Sequence, residues 1–182
     1  MQTAILLAPG FEEIEALATA DILRRAGLQV LLAAVTDDQS LTVTGAHHIT
    51  VACDVLADDL QPEALAAVIL PGGLPGATNL AAVRTVLTLV RYVHDHGHIA
   101  AAICAAPIAL KAARLLPGRP YTCYPGFEQE IGDGYTAAPV QTDRNLITGR
   151  GPGATPDFAF AILAALGLDA QIPKLKKAML LD

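Results

Sequence analysis

The sequence predicts an α/β fold, a mostly parallel sheet covered by helices on both faces. Two observations carry this. Short runs that are apolar at nearly every position alternate with segments of helical periodicity, the pattern of strands buried on both sides. The loops of most unusual composition, residues 8–13, 71–76 and 104–107, all follow apolar runs, where sites gather in such folds.

Taken in order, residues 3–7 read as a buried strand. Ile14, Leu17, Ala18 and Ile22 then recur at helical spacing, and Gly27 closes that helix. Residues 28–35 make the next strand. Residues 41–43 and 48–51 form a small hairpin about Gly45, with His47 and His48 as hairpin residues. Residues 66–70 are a strand ended by Pro71-Gly72-Gly73. Leu80, Val83, Leu87 and Val90 line one helix, which Gly97 stops. Residues 99–103 are a further strand, and Pro107 sits just inside the helix after it. Strands follow at 121–123, 138–141 and 146–148, the last two joined by an Asp143-Arg144-Asn145 turn. Gly151-Pro152-Gly153 precedes a closing helix over about 156–166.

The 182 residues suit one domain, 1–182, with no repeat, low-complexity tract or linker to divide it. No apolar run reaches the roughly 18 residues that cross a bilayer. The first residues lack a basic region and soon meet Glu12, Glu13 and Glu15, unlike a signal peptide. A cytoplasmic protein without a membrane partner is expected. The formal charge of −6, with no basic stripe, argues against nucleic acid. Lys174, Lys176 and Lys177 read as a solvated helix face.

Three cysteines, odd in number and with no Cys-x-x-Cys pair, do not make a disulfide framework. Cys53 and Cys123 read as structural. Cys104 differs. The run Ala100-Ala101-Ala102-Ile103-Cys104-Ala105-Ala106-Pro107 is a strand feeding a helix, with small residues that fit a tight turn. Unpaired N–H groups and the helix dipole there are expected to lower the thiol pKa and favour the nucleophilic thiolate. Gly72 and Gly73 permit close backbone approach, and the Gly73 and Ala105 amides could form an oxyanion pocket. In Glu12-Glu13-Ile14-Glu15, two carboxylates serve as dipole partners. Glu15 lies between apolar positions and points inward, where it would share one proton with the thiol.

His94, His96 and His98 surround Gly97 at a helix end rather than at i, i+4 on one face, so no metal site is expected. Gly151-Pro152-Gly153 lacks the features of a P-loop or a dinucleotide fingerprint. It reads as backing for the cysteine turn, and no cofactor is expected.

Four stretches, 8–15, 70–73, 101–107 and 151–153, occur in the order and separations of the ThiJ/PfpI superfamily, and the chain resembles its deglycase and YajL-like branch. The resemblance implies a flavodoxin-like three-layer sandwich, Cys104 as the elbow nucleophile, Glu15 as its carboxylic partner, and a homodimer. The sequence departs from relatives in four places. Ala105 replaces the His that follows the cysteine in peptidase members, so peptidase activity is not expected. Tyr124 stands where many deglycase members have His, His47 where an Arg is expected, and Leu74 where some relatives are polar.

The resulting expectation is a glyoxalase III-type or deglycase-type enzyme converting 2-oxoaldehydes such as methylglyoxal to 2-hydroxy acids without glutathione. Cys104 and Glu15 would be catalytic, with Gly72, Gly73, Ala105 and Tyr124 around the oxyanion and substrate. Small 2-oxoaldehydes or glycated protein adducts are the expected partners. The alternative is a redox-responsive stress or chaperone-like protein that senses oxidants through Cys104.

Overall fold

The computed structural model describes residues 1–181. Its strands are β1 (Gln2–Leu7), β2 (Val30–Ala34), β3 (Thr42–Thr44), β4 (Thr50–Ala52), β5 (Val55–Leu56), β6 (Leu65–Leu70), β7 (Ile99–Ile103), β8 (Val140–Asp143) and β9 (Leu146–Gly149). The helices are α1 (Glu13–Arg25), α2 (Gly76–Ala82), α3 (Arg84–Asp95), α4 (Pro107–Ala112), α5 (Glu128–Ile131), α6 (Thr155–Ala165) and α7 (Ile172–Met179).

Seven strands form the central sheet in the order β5-β2-β1-β6-β7-β9-β8. All neighbours are parallel except β8, which returns beside β9 through a tight turn. The apolar runs explain this placement. Ala4–Leu7, Ala67–Leu70 and all of β7 are buried, as central strands covered on both faces must be. From β1 the chain moves outward to β2 through α1, whereas from β6 it moves the other way to β7 through α2 and α3. Right-handed crossovers in opposite directions put these helices on opposite faces. The reversal opens a crevice where the loops after β1 and β6 meet, and the loop after β7 lies beside it. No helix among the described residues is long and apolar enough to cross a membrane.

Several elements differ from the sequence reading. The expected single helix carrying Leu80 to Val90 is two, α2 and α3, broken at Val83, whose backbone is extended (φ −88°, ψ 120°). Leu80, Val86, Leu89, Val90 and Val93 provide the buried face, while Val83 and Leu87 are only partly covered. Residues 121–123 make only an isolated bridge from Tyr121 to Tyr135, because Thr122 N–H donates to the Thr148 hydroxyl instead of to a strand. The 156–166 helix is real but does not close the chain. α7 follows it, with Leu175 inward and Lys176 over the Phe160 ring.

Helix α1 forms where expected and buries a different stripe. Glu15, Ala16, Thr19, Ala20, Ile22 and Leu23 face inward, and Ile14 is 57% exposed. Packing against α6 and the sheet selects the face with small residues, which allow close approach, and it carries Glu15 into the interior. His94, His96 and His98 do sit at the end of α3. His96 caps it and stacks on Tyr92, and Gly97 turns the chain at φ +79°.

Candidate active site

Cys104 sits between β7 and α4 with φ +65°, a left-handed conformation that costs a non-glycine residue on the order of 1–3 kcal/mol. Surrounding hydrogen bonds impose it. Cys104 N–H donates to Gly149 C=O at 2.9 Å, and Cys104 C=O accepts from Tyr124 N–H at 2.8 Å. Its neighbours Ile103, Ala105 and Ala106 are buried, whereas Cys104 retains 9% exposure on a groove. The elbow thus lifts one side chain out of an otherwise closed core.

Glu15 approaches from α1. Its side chain is 1% exposed, and Oε2 accepts the Gly72 N–H at 2.7 Å. Gly72 separates the two reactive side chains. A Cβ added there would lie 2.6 Å from Cys104 Cβ and 2.8 Å from Glu15 Oε2. The thiol and carboxyl therefore meet over a backbone that has no side chain, which only glycine permits. Gly72 N–H is committed to Glu15 and orients the carboxyl, so among the residues expected around the oxyanion it contributes a backbone without a side chain rather than a donor. The Gly73 and Ala105 amides make no backbone hydrogen bond among the described residues and are directed at the Cys104 sulfur.

The electrostatics differ from the expectation of a thiol lowered by a helix dipole. Burial and the charge of Glu15 push Cys104 up to about 12, against the opposing pull of the Gly73 and Ala105 amides. The helix beyond the elbow has six residues and begins only at Pro107, too short and too distant to offset burial. Burial likewise pushes Glu15 up to about 7, despite the hydrogen bond from Gly72. Near neutral pH Cys104 is held as the thiol and Glu15 is divided between acid and carboxylate; where Glu15 is ionised the pair holds one proton, and thiolate forms by passing the sulfur's proton to Glu15.

The groove over Cys104 has a volume of about 580 Å³ and is lined by Gly73, Tyr124 and Pro152 together with Glu12, Glu13, Ile14, His47 and Ile49. Tyr124 and Pro152 also border an adjoining hollow of about 520 Å³ that runs to Arg150 and Asp157. The hairpin β3–β4, slightly displaced from its predicted bounds, contributes His47 and Ile49 of its turn to this lining.

Glu13, read from sequence as a dipole partner, instead anchors this hairpin. Oε1 accepts the His47 N–H at 2.7 Å, and Oε2 pairs with His47 Nδ1 at 2.8 Å. Burial pushes the Glu13 carboxyl up, but these bonds outweigh it and hold its pKa below the ordinary value. The hydrogen bond to Glu13 and the charge of Glu12 push His47 up. The sequence reads His47 as a hairpin residue standing where an Arg is expected, and does not reveal its carboxylate partner. Its partner lies 34 positions away, so no local spacing could reveal the pair. Glu12, Glu13 and His47 are also close enough together to offer ligands to a metal, but both Glu13 oxygens already serve the hairpin. Cys53 and Cys123 are buried free thiols away from this groove, and burial pushes them up to about 11 and about 12.

The DJ-1/PfpI family model matches residues 1–165 of the chain. The chain belongs to the DJ-1/PfpI family. Among family members, Protein dj-1beta of Drosophila melanogaster is 32% identical over 97% of this chain and 95% of its own length. A solved DJ-1 superfamily protein from Salmonella typhimurium superposes with a TM-score of 0.90 at 38% identity, covering 98% of this chain and 97% of that one. A protein named glutathione-independent glyoxalase in Caenorhabditis elegans is 32% identical over 91% of this chain and 89% of its own. The sheet order and enclosing helices are those of the flavodoxin-like DJ-1 fold.

Proposed function

We propose that this protein converts small 2-oxoaldehydes to 2-hydroxy acids without added cofactor. The observation that carries the reading is the buried Cys104–Glu15 pair, with the free amides of Gly73 and Ala105 directed at the sulfur. A relative named as a glutathione-independent glyoxalase supports the same chemistry.

In this mechanism Glu15 takes the thiol proton as Cys104 attacks the aldehyde carbon, C1. The Gly73 and Ala105 amides hold the oxygen on which charge develops, each such donor being worth about 2.7–4 kcal/mol. Glu15 returns its proton to that oxygen, giving a hemithioacetal, and is again a carboxylate. It then removes the C1 hydrogen and delivers it to C2, converting the hemithioacetal to a thioester. Water releases the 2-hydroxy acid and restores the thiol. No electrons are gained or lost overall. Glycated protein adducts that present the same carbonyl would enter the groove similarly. Ile14 and Ile49, 57% and 52% exposed beside the groove, provide apolar surface suited to the homodimer implied by the family resemblance.

A second reading rests on Glu15 Oε1, which is buried and has no hydrogen-bond partner among the described residues. A protonated Oε1 beside an oxidised Cys104 would donate to a sulfinate, as an oxidant sensor requires. Methylglyoxal consumption and lactate formation, measured without glutathione, separate the two. Multiple turnovers lost in both Cys104→Ala and Glu15→Gln are expected. Aldehyde loss that stops near one equivalent per Cys104, with no lactate, would overturn the enzyme reading in favour of the redox role.

A further inference from the structure

We propose that His47 is a second catalytic acid–base residue, a proton donor on the hairpin that serves the substrate oxygen on C2. This inference rests on the 2-oxoaldehyde reading and assigns its missing group. In the isomerisation, Glu15 can move hydrogen between carbons, but the C2 carbonyl oxygen must also gain a proton while the C1 oxygen loses one. Gly73 and Ala105 serve only the C1 oxygen. A second donor is therefore required, and His47 lines the same groove as Cys104.

Its geometry fits the task. Glu13 holds the ring through Nδ1 at 2.8 Å and its backbone N–H at 2.7 Å, which fixes its orientation. Nε2 has no hydrogen-bond partner among the described residues, and the side chain is 67% exposed at the mouth of the groove. A buried carboxylate orienting a histidine whose other nitrogen is free is the arrangement by which acid–base histidines are presented to substrate. Glu12 Oε2, 3.5 Å from Nδ1, adds a second negative charge. Glu12 and Glu13 come from the start of α1, and Cys104 and Tyr124, from the elbow and the loop beyond it, line the same groove. The carboxylates favour the imidazolium, the form able to donate.

The step balances. As Glu15 removes the C1 hydrogen, the C1–H electron pair becomes the C1–C2 double bond. The C2–O π pair then takes the proton of His47 Nε2. The two oxygens of the cis enediol are adjacent, so when Glu15 returns hydrogen to C2 the C1 hydroxyl proton reaches the neutral imidazole and the thioester carbonyl forms. His47 and Glu15 each end as they began.

The test measures kcat and KM for methylglyoxal between about pH 6 and 9 in wild type, His47→Gln, His47→Arg and, as a control, His48→Gln. Wild-type kcat should fall on the alkaline side as the imidazolium loses its proton. His47→Gln should lower kcat about 10²-fold with KM within about threefold, and the alkaline limb should vanish. His47→Arg, cationic throughout this range, should recover part of kcat without the limb. His48→Gln should match wild type. Wild type without turnover would overturn the 2-oxoaldehyde reading and this inference together. Wild type that turns over while His47→Gln keeps its kcat, or loses rate but keeps the alkaline limb, would overturn this inference alone.

Discussion

Two regions line the groove, and different forces hold them. At the elbow, Ile103, Ala105 and Ala106 are buried, and backbone hydrogen bonds from β9 and the Tyr124 loop force Cys104 into its positive φ. At the hairpin, β3 and β4 pair over only three residues each, and Ile49 and His47 lie open to solvent. One buried carboxylate, Glu13, binds the amides of His47 and Ile49 in the turn. The nucleophile is therefore placed by the core and cannot shift without disturbing it. The hairpin turn is placed by the Glu13 clasp and by two backbone hydrogen bonds to the loop after β1, Ala46 N–H to Phe11 C=O and Gly10 N–H to Thr44 C=O, so its side-chain clasp can be altered while the fold survives.

Substitution at Gly72 should break this comparison most completely. In Gly72→Ala the new Cβ meets Cys104, Glu15 and the Ile103 carbonyl at once, two side chains and a backbone held by the core. We expect turnover to be lost and stability to fall by about 1–3 kcal/mol, a Tm drop of roughly 2–4 °C per kcal/mol. A melting temperature and turnover equal to wild type would show the elbow to be more plastic than its packing implies.

Glu15→Gln is next. It keeps an acceptor for Gly72 N–H and removes the base, so activity should fall roughly 10²–10⁴-fold. Stability should respond in the opposite sense. The folded carboxyl is raised to about 7 from the ordinary 4.5, so its favourable contribution is full below the unfolded pKa and is lost as pH rises to about 7. The glutamine variant cannot ionise. It should gain on the order of 1–3 kcal/mol over wild type between about pH 5 and 8, as read by thermal unfolding at both values.

Glu13→Gln should have a milder effect confined to the hairpin, costing about 1–2 kcal/mol at neutral pH and raising hydrogen exchange at the His47 and Ile49 amides. Because Glu13 is lowered in the fold, its contribution is present above the ordinary carboxylate pKa and fades as pH falls through the folded value. Wild type and variant should converge in acid. Ile49→Ser comes last. It should leave the stability of the isolated chain within about 0.5 kcal/mol of wild type while weakening self-association in sedimentation, as a side chain lying between two copies would.

Much of this molecule can be read from its residues because the relevant signals are local. An apolar run such as residues 99–103 needs no distant partner to be identified as a buried strand, and the observed β7 has those bounds. A cysteine between that run and Pro107 identifies an elbow, since small neighbours and a helix start are adjacent in the chain. Glu15 was found as an acid out of place among apolar positions. Its burial follows from α1 packing through its small-residue stripe, a face that helical spacing of the large apolar residues does not select.

Tertiary structure alone decided the rest. Val83 divides a continuous helical pattern because the packing of α2 and α3 requires a corner there. The Cys104 pKa rises because burial and a carboxylate from another helix outweigh local amides, and desolvation cannot be read from sequence neighbours. The pairing of Glu13 with His47 joins a helix start to a hairpin turn. Periodicity and motif depend on residues a few positions apart, whereas the charge and orientation of a side chain depend on what the fold brings against it from elsewhere in the chain.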